Sequence, residues 1–211
     1  MMKQNKTEKI ISIVLCLLPI VFGLLIWNKL PEEIPVHFNM GGTADGYSSK
    51  AFAIFGLPCI LAVLDAFCLF ALGNDPKSAG HSKVLSRIML WFIPALSCIL
   101  VPMCLMLALG RKINISLFMN LLIGIIFVII GNYLPKCRQN YTMGIRLPWT
   151  LNDENNWNYT HRLGGFIWVI AGFAVILNSF FGSPWILFTV IIAAVLIPVA
   201  ASYVYYRRHR S

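Results

Sequence analysis

The chain has 211 residues, of which 58 % are hydrophobic and only 12 % charged, and its 17 Lys and Arg against 8 Asp and Glu give a formal net charge of +9. Soluble domains carry about 25 % charged residues, so this composition excludes an ordinary water-soluble globule and makes the lipid bilayer the first partner. The excess of cations is read as membrane topology and attraction to anionic head groups, and no RNA- or DNA-binding motif supports a nucleic-acid partner.

Near-continuous apolar runs long enough to cross a bilayer fall at about residues 10–28, 52–72, 88–109, 115–134, 164–181 and 185–206. Alternating β-barrel segments are absent, and a backbone in hydrocarbon must satisfy its own hydrogen bonds, so the spans are predicted to be helices. The expected class is all-α: a polytopic integral membrane protein with six transmembrane helices. The first run follows Lys3, Lys6 and Lys9 as a signal peptide would. It continues to Trp27 into NKLPEE without a small-residue cleavage site, so it is expected to be retained.

Cations in short loops set orientation. Lys3, Lys6, Lys9, Lys77, Lys83, Arg87, Lys136, Arg138, Arg146, Arg162, Arg207, Arg208 and Arg210 fall in the N-terminal, second-to-third, fourth-to-fifth and C-terminal segments. Only Lys29, Lys50, Arg111 and Lys112 fall in the alternate loops. Both termini are therefore expected on the cytoplasmic side of a bacterial plasma membrane. Two regions are expected: residues 1–110, with spans one to three and an outer loop over 29–51, and residues 111–211, with spans four to six and a cytoplasmic loop over 135–163.

Cys16, Cys59, Cys68, Cys98 and Cys104 lie in predicted spans and Cys137 on the cytoplasmic side, so no disulfide framework is expected. The sequons at Asn140 and Asn158 are chance matches in a cytoplasmic loop. Small residues at Gly164, Gly165 and Gly172 permit close helix packing within one chain or between chains.

The outer loop reads KLPEEIPVHFNMGGTADGYSSK. Pro31 and Pro35 oppose helix, residues 36–39 suit a short extended piece, and Gly41-Gly42 and Asp45-Gly46 are turn signals, which together predict an ordered loop or small hairpin. It is either a connector whose His37, Asp45 and Lys50 bond locally or an external recognition surface, since a bare connection needs far fewer residues.

In the loop between spans four and five, Thr150 or Asn152 is expected to cap a helix with Asp153 and Glu154 in its first turn. Trp157 and His161, four residues apart, then share a face. Trp149, Trp157 and Tyr159 also suit interfacial anchors, and Arg138, Arg146 and Arg162 ordinary inside charges. Asp65, in the second span, is the strongest charge inside a span and a functional candidate by default. It is read either as a side chain hydrogen-bonded to a neighbouring helix through Asn120, Asn132 or Ser97, or as a proton relay in a small transporter or efflux component. No HExxH, paired carboxylates, phosphate loop or GxSxG occurs, and His37 and His161 are expected on opposite faces of the bilayer. His81 and His209 lack ligand spacing. Neither an enzyme, a metal nor a cofactor is expected.

Taken together, Leu30, Pro31, Ile34, Pro35, His37 to Asn39, Gly42, Asp45, Tyr47, Ser49 and Lys50 resemble the N-terminal DUF1648 region, and GNYLPKCRQN, GIRLPWTL, Trp157 and THRLGG resemble the SdpI signature. The resemblance spans nearly the whole chain and points to the SdpI family of bacterial membrane proteins. Ala44 departs from a frequent Pro and Leu147 from a usual Thr. The resemblance implies immunity to a secreted peptide toxin and, as in the founding type, a receptor role that draws a transcriptional repressor to the membrane. On that mapping His37, Phe38, Asn39, Asp45, Tyr47 and Lys50 meet the peptide. Arg146, Pro148, Trp149, Trp157, Thr160, His161 and Arg162 meet a cytoplasmic partner or form the structural signature. Pro19, Pro58, Pro94, Pro102 and Pro198 supply kinks for a two-state movement.

Overall fold

A computed structural model describes residues 5–39, 41–77 and 83–209, and His81 lies outside them. Helices α1 (Lys6–Cys16) and α2 (Leu18–Leu25) form the first span, interrupted at Leu17 because Pro19 starts a new first turn. Strands β1 (Glu33–Phe38) and β2 (Ala44–Ser49) pair antiparallel, the expected hairpin. A π turn over Phe52–Gly56 leads into α3 (Leu57–Gly73). Pro58 has no N–H for the carbonyl of Ile54, and the widened turn sits where that bond is missing.

Then come α4 (Lys83–Ala108), carrying Pro94 and Pro102 inside, α5 (Ile115–Tyr133), the short α6 (Pro148–Asn152), α7 (Glu154–Asn178) and α8 (Pro184–Arg208), with Pro198 inside. Six helices among the described residues are long and apolar enough to cross a membrane, so the protein is an all-α multi-pass membrane protein with one small hairpin. The fifth helix begins ten residues before the predicted apolar run, because residues 154–163 are helical but too polar to register by hydropathy. Its cap also differs from expectation: Asp153 accepts from the backbone N–H of Asn155 at 2.8 Å, while Thr150 and Asn152 belong to α6.

The chain divides into two compact units. One comprises residues up to Asn74 together with Ser86–Ile113; the other comprises Asp75–Leu85 and Asn114 onward. In the first, Cys16, Ala62 and Ile93 form a buried cluster with Ile13, Leu17, Leu61, Cys68 and Phe92 around it. In the second, α5 and α7 run antiparallel in backbone contact. A Cβ on Gly131 would lie 2.8 Å from the Gly165 carbonyl, and one on Gly172 would lie 2.7 Å from the Gly124 carbonyl. Lipid gives helices no hydrophobic drive to associate, so bare backbone surface that allows close approach is what holds such a pair. Gly165 and Gly172 are thus spent within one chain.

Candidate functional site

Three polar groupings stand out, and the hairpin is the first. Its turn is organised by Asn39, whose Oδ1 accepts from the N–H groups of Gly41 at 2.9 Å and Thr43 at 3.0 Å, with Gly42 at φ 82°. The ladder runs from Glu33 opposite Ser49 to Phe38 opposite Ala44, with irregularities on both sides of His37. There His37 Nδ1 lies 2.5 Å from Asp45 Oδ1, with side chains 74 % and 43 % exposed. A Cβ on Gly46 would be 2.8 Å from His37 Cβ, so only glycine lets the imidazole lie across β2. Tyr47 is also exposed, whereas Ile34 is fully buried beneath.

Lys50, expected on the recognition surface, is instead buried. Its Nζ donates to Glu32 Oε1 at 2.8 Å and sits 4.9 Å over the Trp27 ring, while its backbone N–H donates to the Glu32 carbonyl. An ammonium at that point must be paired, so Lys50 ties the hairpin base to the end of the first span. Asn39 likewise builds the turn, and Phe38 is half-buried. His37, Asp45 and Tyr47 remain as the displayed side chains.

The second grouping gathers the signature between α5 and α8. Trp157 is fully buried and donates from Nε1 to the Cys137 carbonyl at 2.7 Å. His161 stacks on it, as the four-residue spacing predicts. His161 Nε2 accepts from the Ile145 N–H at 2.9 Å, so its proton is on Nδ1, which donates to the Trp157 carbonyl at 2.8 Å. Both nitrogens are consumed, leaving none for a metal or for proton transfer. Thr160 donates to Asn156 Oδ1, which also accepts from Ser202; Ser202 Oγ in turn accepts from Trp149 Nε1 at 2.8 Å. This network joins α6, α7 and α8, and Trp149 also packs on Tyr203 and Tyr206. Trp157, Thr160 and His161 therefore hold the fold, whereas Arg146, Pro148 and Arg162 are exposed.

Asp75, which no local pattern in the sequence marks, anchors the same loop. Its Oδ2 accepts from the Tyr141 N–H at 3.0 Å and the Thr142 hydroxyl at 2.7 Å, and its Oδ1 accepts from the Lys77 N–H at 2.8 Å. Asn140 is equally buried, with Oδ1 accepting from the Met143 N–H at 2.6 Å. No group of metal-ligating side chains occurs among the described residues.

The third is Asp65. Its Oδ2 lies 2.6 Å from Ser12 Oγ on α1. The partner is Ser12 rather than any of the three alternatives expected: Ser97 donates to the Cys16 carbonyl, Asn120 accepts from Asn178, and Asn132 is exposed.

Comparison with known proteins agrees with this layout. Residues 14–62, containing the first span and the hairpin, match the domain of unknown function DUF1648. Residues 136–203, containing the Trp157–His161 network, match the SdpI/YfhL protein family. Over 211 residues the chain is 32 % identical to "Immunity protein SdpI" of Bacillus subtilis (strain 168), covering 98 % of each chain. The chain belongs to the SdpI family. No solved structure matches it.

Proposed function

We propose that this SdpI-family chain is a bacterial membrane immunity protein, protecting the cell that carries it from a secreted peptide toxin which it meets at the hairpin. The observation that carries the reading is 32 % identity, over 98 % of both chains, with a relative named an immunity protein. The hairpin adds the contact surface: His37, Asp45 and Tyr47 stand exposed on a sheet whose other face holds buried Ile34, so they are free to touch a ligand. The cation distribution supports a topology with both termini and the loop between α5 and α7 in the cytoplasm and the hairpin outside. On that side Arg146 and Arg162 are exposed charges within the signature and available to a cytoplasmic partner, and a transcriptional repressor held at the membrane is the partner proposed.

Survival of a toxin-sensitive bacterium challenged with a secreted peptide toxin tests this, comparing the wild type with empty vector and with His37→Ala, Asp45→Ala and Tyr47→Ala. Protection by the wild type, lost in these variants at unchanged membrane levels, is the expected result. Protection that survives all three removes the hairpin from the reading. Arg146→Ala and Arg162→Ala, expected to spare protection, test the cytoplasmic contact through a repressor-controlled reporter; an unchanged reporter ends that part.

A further inference from the structure

In the first unit three helices meet at one polar point. Ser12 on α1 and Asp65 on α3 are both fully buried, and Ser12 Oγ lies 2.6 Å from Asp65 Oδ2 and 2.8 Å from the backbone carbonyl of Leu90 on α4. At a rise of about 1.5 Å per residue, these positions lie roughly 9–12 Å along their helices from Lys6, Gly73 and Val84. They occupy one layer within the spans.

The hydrogens in this layer can be counted. A serine hydroxyl carries one proton, a backbone carbonyl only accepts, and an ionised carboxylate also only accepts. With Asp65 ionised, the single Ser12 proton faces two acceptors, and one of the two short contacts sets oxygen against oxygen with nothing between them. With Asp65 protonated, its O–H donates to Ser12 Oγ and the Ser12 O–H donates to the Leu90 carbonyl, so each contact has its own hydrogen.

Two further observations point the same way. Asp65 Oδ1 is buried without a hydrogen-bond partner among the described residues. A lone carbonyl oxygen of a neutral acid is an under-satisfied acceptor of a tolerable kind, whereas half of a bare carboxylate charge is not. Among the described residues no cation is seen paired with it; the ion pairs His37–Asp45 and Lys50–Glu32 both lie in the hairpin region. The ionisable groups facing Asp65 are thiols, Cys16 from α1 and Cys68 from α3, and on α4 Cys98 donates to the Leu15 carbonyl.

We propose that Asp65 is a proton-binding site, an uncharged carboxylic acid that closes an Asp65–Ser12–Leu90 clasp across α1, α3 and α4. The closed packing of this unit is then the proton-loaded one, and losing the proton leaves two acceptors, Asp65 Oδ2 and the Leu90 carbonyl, competing for one hydroxyl hydrogen. Asp65 on this account locks helices together and does not serve as a charge passed over by a transported ion. The proposal is independent of the toxin reading, since it concerns an atom count inside one unit.

Infrared difference spectroscopy of the full chain in lipid, wild type against Asp65→Asn, tests it directly. The expected result is a protonated-acid carbonyl band, present from acid to mildly alkaline pH, that disappears with Asp65→Asn and shifts in Ser12→Ala, where the acid loses its acceptor. A carboxylate band in its place at neutral pH overturns the proposal. Should Asp65→Asn fail to fold, wild-type protein with aspartate isotope-labelled in the side-chain carboxyl serves instead. Asp45, Asp75 and Asp153 are the other aspartates, and replacing each in turn assigns their signals. One carboxyl that stays acid throughout supports the clasp; four that ionise refute it.

Discussion

The Trp157 indole lies flat on the His161 imidazole, ring centroids 4.0 Å apart and planes 19° apart, with both side chains buried. The stack gives His161 one orientation, and that orientation aims Nε2 at the Ile145 N–H. Gly144, immediately before, has φ +96°, and a Cβ there would overlap His161 Nε2. Gly144→Ala therefore meets both a strained backbone and a side chain that cannot withdraw. It is expected to cost more than His161→Gln, which keeps part of the hydrogen bonding; His161→Ala, leaving a buried N–H unpaired, costs about 1–3 kcal/mol. Trp157→Ala, which empties the core of the signature, costs about 3–5 kcal/mol. Thermal unfolding in detergent ranks the four, and a Gly144→Ala protein as stable as wild type contradicts the packing.

The glycine seam between α5 and α7 predicts a steeper dependence on side-chain size than on chemistry. At Gly131 and Gly172 an added Cβ meets backbone atoms closer than 3.0 Å, and backbone cannot step aside. Gly131→Leu and Gly172→Leu should each lower the melting temperature and reduce folded yield, with overpacking costs of at least about 1–3 kcal/mol. Gly110 is the contrast: at φ +77° with open space around it, Gly110→Ala carries only the left-handed backbone penalty of about 1–2 kcal/mol. Equal effects at the three positions would mean that α5 and α7 do not pack through these glycines.

Much of this architecture is legible in the sequence because it is written in local patterns. Hydropathy finds the spans, Gly42 and Asp45-Gly46 mark the hairpin, and the spacing of Trp157 and His161 places them on one face. What sequence reading misses are partners far apart in the chain. Asp65 bonds to Ser12, 53 residues away, and nothing in local spacing prefers Ser12 over Ser97. Lys50 looks like a surface cation until Glu32 and Trp27 close over it. Asn156 and Ser202, 46 residues apart, look like ordinary polar residues at helix ends until their reciprocal hydrogen bonds are seen. Arg146 and Arg162 are legible as exposed charges, but their neighbours Trp157 and Thr160 turn inward, because a helix entering the unit must bury one face.

Asp75 supplies acceptors only. All three of its described hydrogen bonds come from donors at Tyr141, Thr142 and Lys77, split over its two oxygens. Asp75→Asn replaces one accepting oxygen with an amide nitrogen that faces donors, so it is not a conservative change. A loss of about 1.5–3 kcal/mol is expected, the range for hydrogen bonds to a charged group, with Thr142→Val losing less. A double-mutant cycle on the pair, read by thermal unfolding, should return a coupling of about 0.5–3 kcal/mol. Strict additivity would place Thr142 outside the grip of Asp75.

Cys137 offers a chemical readout of the same loop. Burial is the main cause that pushes its thiol above the ordinary value of 9.0; the Asp75 carboxylate adds to the rise, and the hydrogen bond from Asn140 Nδ2, at 3.3 Å, works against it. Only the thiolate attacks a maleimide, so Cys137 in the folded protein should label far more slowly than a free thiol, at neutral pH and still at pH near 9. Because the folded thiol holds its proton more tightly than the unfolded one, this group favours the folded state below the unfolded value, and that contribution fades as pH rises through the folded value. Mass-spectrometric mapping of the labelled peptide reads Cys137 separately from the other cysteines. Asp75→Asn removes the negative charge and loosens the loop, so both effects should speed labelling. Rapid labelling of wild-type Cys137 under native conditions, or slower labelling in Asp75→Asn, would show that the loop is not closed over the thiol as described.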